Sequence, residues 1–311
     1  MGLFGSIKNK VDCTLKALGT GSKNCKFNID LINGFYAIKK GTVIEDSDDF
    51  NKAFLQGWVQ QGIAIPLINA IGFIDNSADD TIQTTQSGVD LKANKGRYKF
   101  TLEYKKGEYF NKAMSSLDSF GAYDILLVDE SDNFLLTESR TGLGKGFKAG
   151  MLNPEKRKWA DGTVETTKSI TFQLLDRAEQ DDRLIGLNAD ETGFSPEEVD
   201  GVNDITLSFV AAPSDTDTTI EIDVISTADK VTALEGLATA NFRVLVEGVV
   251  TVTTFVESLT VPGRYTGTLA AIATNEVVKV QLWDAVIVPQ TDAILVGDDI
   301  YGSNELEATV V

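Results

Sequence analysis

Six runs rich in valine, isoleucine and threonine follow one another between residues 205 and 284: ITLSFV, TIEIDVIST, NFRVLVEG, VVTVTTFVES, RYTGTLA and EVVKVQLWD. β-Branched side chains lose little on a pleated sheet and crowd a helix. Gly248, Pro262 and Gly263 mark turns between the runs, and the gaps are too short to hold helices. So many short strands in about a hundred residues close a core as two packed sheets, a sandwich, and in few other ways.

The earlier part of the chain mixes two periods. Arg97 to Tyr104 alternates, with Tyr98, Phe100, Leu102 and Tyr104 on one face and Arg97, Lys99, Thr101 and Glu103 on the other, which predicts a strand with one buried and one wet face. KSITFQLLD likewise puts Ile170, Phe172 and Leu174 inward against Ser169, Thr171 and Gln173, and AYDILLVDE with NFLLTE predicts a hairpin turning at Ser131 to Asn133. Two stretches have the helical period instead. From Asp48, a candidate N-cap, Phe50, Phe54 and Trp58 fall on one face before Gly62; Phe110, Ala113, Met114 and Leu117 do the same in GEYFNKAMSSL. The expectation is a β domain with one or two packed helices.

Charge divides the chain. Residues 203–311 carry 4 basic and 16 acidic residues, whereas residues 1–202 carry 24 and 30. Between them lies NADETGFSPEEVDGVND, rich in turn formers and carboxylates. Two domains are expected, 1–195 and 196–311, and 311 residues suffice for a core in each. Trp283 is a candidate to pack between the sheets of the second, an immunoglobulin-type sandwich without its cysteine pair. The overall excess of 46 acidic over 28 basic residues disfavours general binding to nucleic acid or anionic membranes. MGLFGSIKNKVDCTLKALG lacks the apolar core of a secretory signal and no run approaches ~18 apolar residues, so a protein folded in a cytoplasm is expected, with no membrane partner. Gly2 with Ser6 matches a myristoylation pattern by accident on this reading.

Little in the sequence suggests catalysis. There is no histidine, which removes Ser-His-Asp and Cys-His machinery and the usual histidine metal sites. Cys13 and Cys25 alone cannot complete a zinc site without carboxylates, and two reduced thiols suit a reducing compartment. GTGSK (Gly19 to Lys23) and TGLGKGFKAGM (Thr141 to Met151) miss the spacings that cradle phosphates and read as flexible loops. Asp79, Asp80, Asp129, Glu130, Asp181 and Asp182 could supply a glycosidase-like carboxylate pair, though adjacent acids are usually solvated. No cofactor, metal or catalytic residue is assigned. Lys145, Lys148, Lys156, Arg157 and Lys158, with Trp159 beside them, form a local basic group in an acidic protein, suited to docking on an acidic neighbouring subunit; a solvated loop and a DNA contact are the other readings. The amino-terminal forty residues are basic as well, with seven lysines against two aspartates.

The order of elements in residues 30–190 resembles the tail-tube family of long-tailed phages: an early apolar segment, the polar excursion TIQTTQSG, a strand, a short helix containing KAMSSL, then YDILLVDESDNFLLTES and the closing strand SITFQLLD. Tyr123 to Asp132 resembles subunits from phages of Bacteroidetes. The acidic carboxyl-terminal domain is similar to immunoglobulin-like decorations of phage tubes and capsids. The resemblance implies a mainly β structural virion protein, not an enzyme, assembled in the host bacterial cytoplasm. Its β-sandwich would form homohexameric rings stacked into a tube, joined to other tail proteins, with viral DNA passing through without sequence-specific binding. Lys99, Thr101, Glu103, Ser169, Thr171 and Gln173 would then be candidates for the lumen. Ile63, Ile65, Leu67 and Ile68 in GIAIPLINAIGFID, too apolar for a free loop, would meet a neighbouring subunit, as would the basic group. The alternative is a capsid decoration, head-fibre or adhesin protein whose immunoglobulin-like domain binds a surface.

Overall fold

A computed structural model describes residues 2–10, 29–162, 165–251, 253–287 and 291–311. Cys13, Cys25 and GTGSK lie outside the described residues, as do Lys16, Lys23 and Lys26 of the basic amino-terminal stretch. The fold is mixed α/β and mostly strand, 43% of it, with few helices and one sheet curled as a half-barrel. The chain divides into two compact units: Met1–Leu55 with Gly62–Val199, and Asp200–Val311 with Gln56–Gln61.

The first unit and its adjoining helix run α1 (Leu3–Lys10), β1 (Ile32–Lys39), α2 (Lys52–Gln60), β2 (Ala64–Leu67), β3 (Gly72–Asp75), β4 (Thr81–Thr84), β5 (Asp90–Asn94) and β6 (Lys99–Tyr104). There follow α3 (Glu108–Ser115), β7 (Tyr123–Asp129), β8 (Phe134–Glu138), β9 (Gly144–Lys145), β10 (Phe147–Pro154), β11 (Lys168–Leu174), α4 (Ala178–Asp181), β12 (Leu184–Leu187) and α5 (Ala189–Thr192). Ten strands form one sheet in the order β12-β8-β7-β10-β11-β6-β3, with β1 beside β7, β2 beside β1 and β9 beside β8. Strand β7 is the junction. It pairs with β1 along its length, with β8 through Leu127 and Val128, and with β10 through Asp124 and Ile125. The apolar faces of β6 and β11, carrying Phe100, Leu102, Tyr104, Ile170, Phe172 and Leu174, share one core with Phe35, Ile125, Leu127 and Met114.

Strands β1 and β7 are buried on both faces, so they read as continuous apolar runs without alternation. Behind them a second layer gathers Tyr36, Phe50, Phe134 and Phe194, whose rings lie 5.2–6.2 Å apart. Gly144 belongs to strand β9 rather than to a flexible loop, paired with Glu138 and bridged to Ile44, and the Phe4 ring leaves room there for glycine alone, since an added Cβ would sit 2.3 Å from it. Helix α2 begins at Lys52, not Asp48: Asn51 Oδ1 accepts from Phe54 N (3.0 Å), whereas Asp48 Oδ2 accepts from Glu45 N. In α3 the inward stripe is Phe110, Asn111 and Met114, continued by Leu117 just beyond the helix, and Ala113 faces solvent. The buried Lys168 ammonium fastens this helix by donating to Asn111 O (2.8 Å) and Ser115 Oγ, and burial holds its pKa below the usual lysine range. Pro196 to Val199 packs with the first unit: Tyr36 Oη donates to Pro196 O (2.7 Å), and Val199 is buried.

The second unit holds β13 (Val202–Phe209), β14 (Thr219–Ser226), β15 (Phe242–Val246), β16 (Val249–Thr251), β17 (Thr254–Glu257), β18 (Arg264–Thr268), β19 (Val277–Leu282), β20 (Ala293–Val296), β21 (Asp299–Ser303) and β22 (Leu306–Thr309). One sheet has the order β17-β18-β14-β13-β21-β20 and the other β16-β15-β19-β22. Their shared core includes Ile222, Val224, Phe242, Val244, Phe255, Tyr265, Val278, Val280 and Leu282. VVTVTTFVES, expected as one run, divides into β16 and β17, which lie in different sheets. Trp283 is not in this core. Period-two alternation points Val278, Val280 and Leu282 inward and so turns residue 283 outward, where Trp283 is half-buried with the Arg243 guanidinium 4.2 Å from its ring.

Candidate functional site

Strands β10, β11, β6 and β3 form a four-stranded antiparallel ribbon within the large sheet. The register sets Ser169 opposite Glu103, Thr171 opposite Thr101 and Gln173 opposite Lys99. All six sequence-predicted lumen residues therefore share one face, opposite the apolar face in the core. The expectation that this face is wet throughout needs correcting: Ser169, Thr101 and Thr171 are only 2%, 6% and 4% exposed. Their side chains are short, and longer polar neighbours on the flanking strands cover them.

Those neighbours are bonded in a definite sense. Asn76 Nδ2 donates to Thr101 Oγ1 (3.0 Å), the Thr101 and Thr171 hydroxyls lie 2.6 Å apart, and Thr171 Oγ1 donates to Glu155 Oε1 (2.6 Å). A carboxylate oxygen can only accept and a hydroxyl has one proton, so Thr101 donates to Thr171 and the chain runs one way, from Asn76 to Glu155. Beside it Glu103 accepts from Thr167 Oγ1 (2.6 Å) and Lys158 Nζ (3.2 Å). The Thr167 hydroxyl, with the lysine, holds the Glu103 carboxyl below the usual range against partial burial.

The ribbon continues beyond the sheet. Asn76 N donates to Lys99 O and Ala78 N to Arg97 O, and β4 and β5 then pair up to a turn closed between Thr85 and Val89. Every residue of β4 and β5 is exposed, including Ile82 and Leu91. This arm is sided. Gln83 with Leu91 and Thr85 with Val89 make an uncharged face, whereas Ile82 with Lys92 and Thr84 with Asp90 make the other. A two-stranded ribbon with no covered face is marginal by itself in water.

The other predicted contacts separate. GIAIPLINAIGFID is two edge strands, β2 and β3, joined by a turn in which Asn69 has φ +62°. Leu67 and Ile68 are buried within their own unit, with Tyr104 Oη donating to Leu67 O (2.7 Å), and need no neighbour to cover them; Ile63 and Ile65 are half-buried. Ile71 and Ile74, which sequence reasoning passed over, are the exposed ones. The basic group is likewise divided by the length of β10, roughly 20 Å. At one end Lys145 pairs with the buried Glu179, which also accepts from Lys148 N (2.8 Å); Lys148 itself is exposed. At the other, Arg157 pairs with Glu108 (2.6 Å) and lies over Trp159, Lys158 pairs with Glu103, and Lys156 is exposed. Trp159 is 73% exposed.

A polar cleft of about 380 Å³ lies at the base of the arm, lined in part by Asp75, Asp79, Asp80, Tyr98 and Arg177. Asp80 accepts from Gly96 N (2.8 Å) and Arg177 Nη1 (2.7 Å) and pairs with Lys92; Asp181 accepts from Arg177 Nε and Tyr98 Oη, each at 2.7 Å. Bonding from Lys92 and Gly96 holds Asp80 below the usual carboxylate range. Burial pushes Asp181 up, but Tyr98 and Arg177 outweigh it and leave it low as well. Arg177 thus bridges the two carboxylates, and Asp129, elsewhere in the unit, is taken up by Ser131 N (3.0 Å) and Asn133 N (2.9 Å) of its own turn. Among the described residues no group of three or more His, Cys, Asp or Glu is placed to hold a metal ion, and no helix is long and apolar enough to cross a membrane. No protein-family model and no curated protein matches this chain.

Proposed function

We propose that this protein is a structural virion subunit, not an enzyme: a phage tail-tube protein whose copies join into rings stacked around a passage for DNA. The observation that carries this reading is the ribbon β10-β11-β6-β3. It buries one face in the core, turns a face of short, mutually bonded polar side chains outward, and ends at the open edge of β3. An unpaired edge is a template for another chain, and closing edges around a ring removes them. The six-fold number comes from the family resemblance. The arm of β4 and β5 supplies a surface for the next ring, as terminal arms and loops do in that family. The second unit is an immunoglobulin-like appendage on this reading: β13-β14-β18-β17 faces β16-β15-β19-β22, the strand order of such a sandwich, with β20 and β21 as an insertion.

Negative-stain electron microscopy of the purified protein over a range of concentrations tests the proposal. Rings or hollow tubes are expected from the natural chain, and folded monomers from Asp75→Pro: Asn76 N donates to Lys99 O, so alternation turns the Ile74 N–H toward β6 and the Asp75 N–H to the open edge, where proline blocks further pairing. Monomers or trimers of the natural chain at every salt and protein concentration would overturn the tube reading and favour a decoration or adhesin.

A further inference from the structure

The arm leaves the sheet at a tight crossing. Gly96 lies so close to Ala78 that an added Cβ would fall 1.7 Å from the Ala78 carbonyl oxygen. Around that crossing a single carboxylate, Asp80, at the start of the outgoing strand, touches three parts of the structure: Lys92 on the returning strand β5, Gly96 N where the chain re-enters the sheet, and Arg177 at the N-terminal end of α4. Arg177 is fixed in turn by Asp181, which holds Tyr98, and its guanidinium lies 5.9 Å from the Tyr98 ring. No apolar packing of β4 or β5 against the sheet competes with these contacts, since both strands are exposed along their whole length.

We infer that the Arg177–Asp80–Lys92 ion-pair chain is a latch that sets the direction of the β4–β5 arm, so that ionic strength controls how freely the arm swings about the Gly96 crossing. These pairs are half-buried and open to solvent, Lys92 being 46%, Arg177 33% and Asp80 24% exposed, and salt screens such pairs in part. Apolar and backbone contacts holding the sheet are not screened. Salt therefore loosens the arm while β6 and β11 keep their pairing. On the tube reading proposed above, on which this consequence rests, a latched arm is preorganised for the neighbouring ring and docks at lower entropic cost.

Hydrogen exchange of the full chain, followed by mass spectrometry on peptides covering residues 79–96, tests the latch without requiring assembly. In the natural chain, exchange in these peptides rises with salt, while peptides from β6 and β11 stay unchanged. Asp80→Asn is expected to speed arm exchange roughly three- to tenfold at low salt and to abolish most of the salt response. Arg177→Gln does the same, and the double variant is no looser than either single one because both break one chain. Natural-sequence arm exchange that ignores salt, or additive effects of the two substitutions, would overturn the latch. Ring formation by electron microscopy is scored separately: a working latch in a protein that never assembles leaves the latch standing and removes the tube reading.

Discussion

Tyr265 gives the second unit a stability that depends on pH in a calculable way. Its ring is 0% exposed, and its hydroxyl donates to Leu234 O (2.9 Å) while accepting from Leu237 N (3.1 Å). Burial pushes the phenol up to about 12 from its ordinary 10. Below pH 10 it is neutral in the folded and unfolded chains alike, and its contribution is fully present. As pH rises from 10, the unfolded chain releases the proton and the folded one retains it, so unfolding is favoured increasingly until about pH 12. That difference corresponds to on the order of 2–3 kcal/mol. Tyr265→Phe removes both hydrogen bonds and strands a buried N–H, at about 1–3 kcal/mol near neutral pH, but it also removes the alkaline loss. The natural and Phe proteins should therefore differ at pH 7 and converge near pH 12. Urea unfolding read by Trp283 fluorescence, in a background with Trp58 and Trp159 changed to Phe, reports on this unit. Other groups that titrate at high pH, such as Tyr301, are common to both proteins and cancel in the difference. A gap between the two that stays constant from pH 9 to 12 would refute the reasoning.

Two further outcomes are expected. Lys145→Met leaves the buried Glu179 carboxylate without its cation and should cost about 3–5 kcal/mol in the first unit, whereas Lys145→Met with Glu179→Leu should recover most of that loss; denaturant titration of the three variants measures it. Asp80 and Asp181 both have lowered pKa values, so their contribution is present above the ordinary carboxylate range and disappears as pH falls through the folded values. Acid should thus loosen the arm before the sheet. Limited pepsin cleavage checks the order: cleavage within residues 79–96 should precede any within β6 or β11.

Alternation made part of this fold legible. Phe100, Leu102, Ile170 and Phe172 are buried as their period requires, and Asp129 shows why the β7–β8 turn was readable: its carboxylate accepts from Ser131 N and Asn133 N, an Asx arrangement encoded locally. Strands β1 and β7 hid their second buried face, because a doubly covered strand has no alternation to read. The aromatic layer of Phe50, Phe134 and Phe194 joins residues up to 144 positions apart by numbering, which no local period records. The same limit applies to Lys145, whose partner Glu179 lies 34 residues away; five cations close in sequence are spread along β10 and onto separate acidic partners. Trp283 departs from expectation for another reason: a large aromatic suits a core, but the parity set by β19 turns it outward.

The face of the ribbon was half legible, and the missing half bears on function. Sequence separates polar from apolar positions but cannot tell a polar side chain facing water from one closed off by polar neighbours. Thr101 and Thr171 belong to the second kind. Their hydroxyl protons are committed, Thr101 to Thr171 and Thr171 to Glu155, and Glu103 is occupied by Thr167 and Lys158. A surface meant to hold a phosphate backbone offers free donors from lysine, arginine or hydroxyl groups. Here the central donors are turned along the sheet instead of away from it, and carboxylates end the chains. On the tube reading, such a wall meets passing DNA with few unsatisfied donors, and it keeps its shape through its own hydrogen bonds whether or not anything fills the passage.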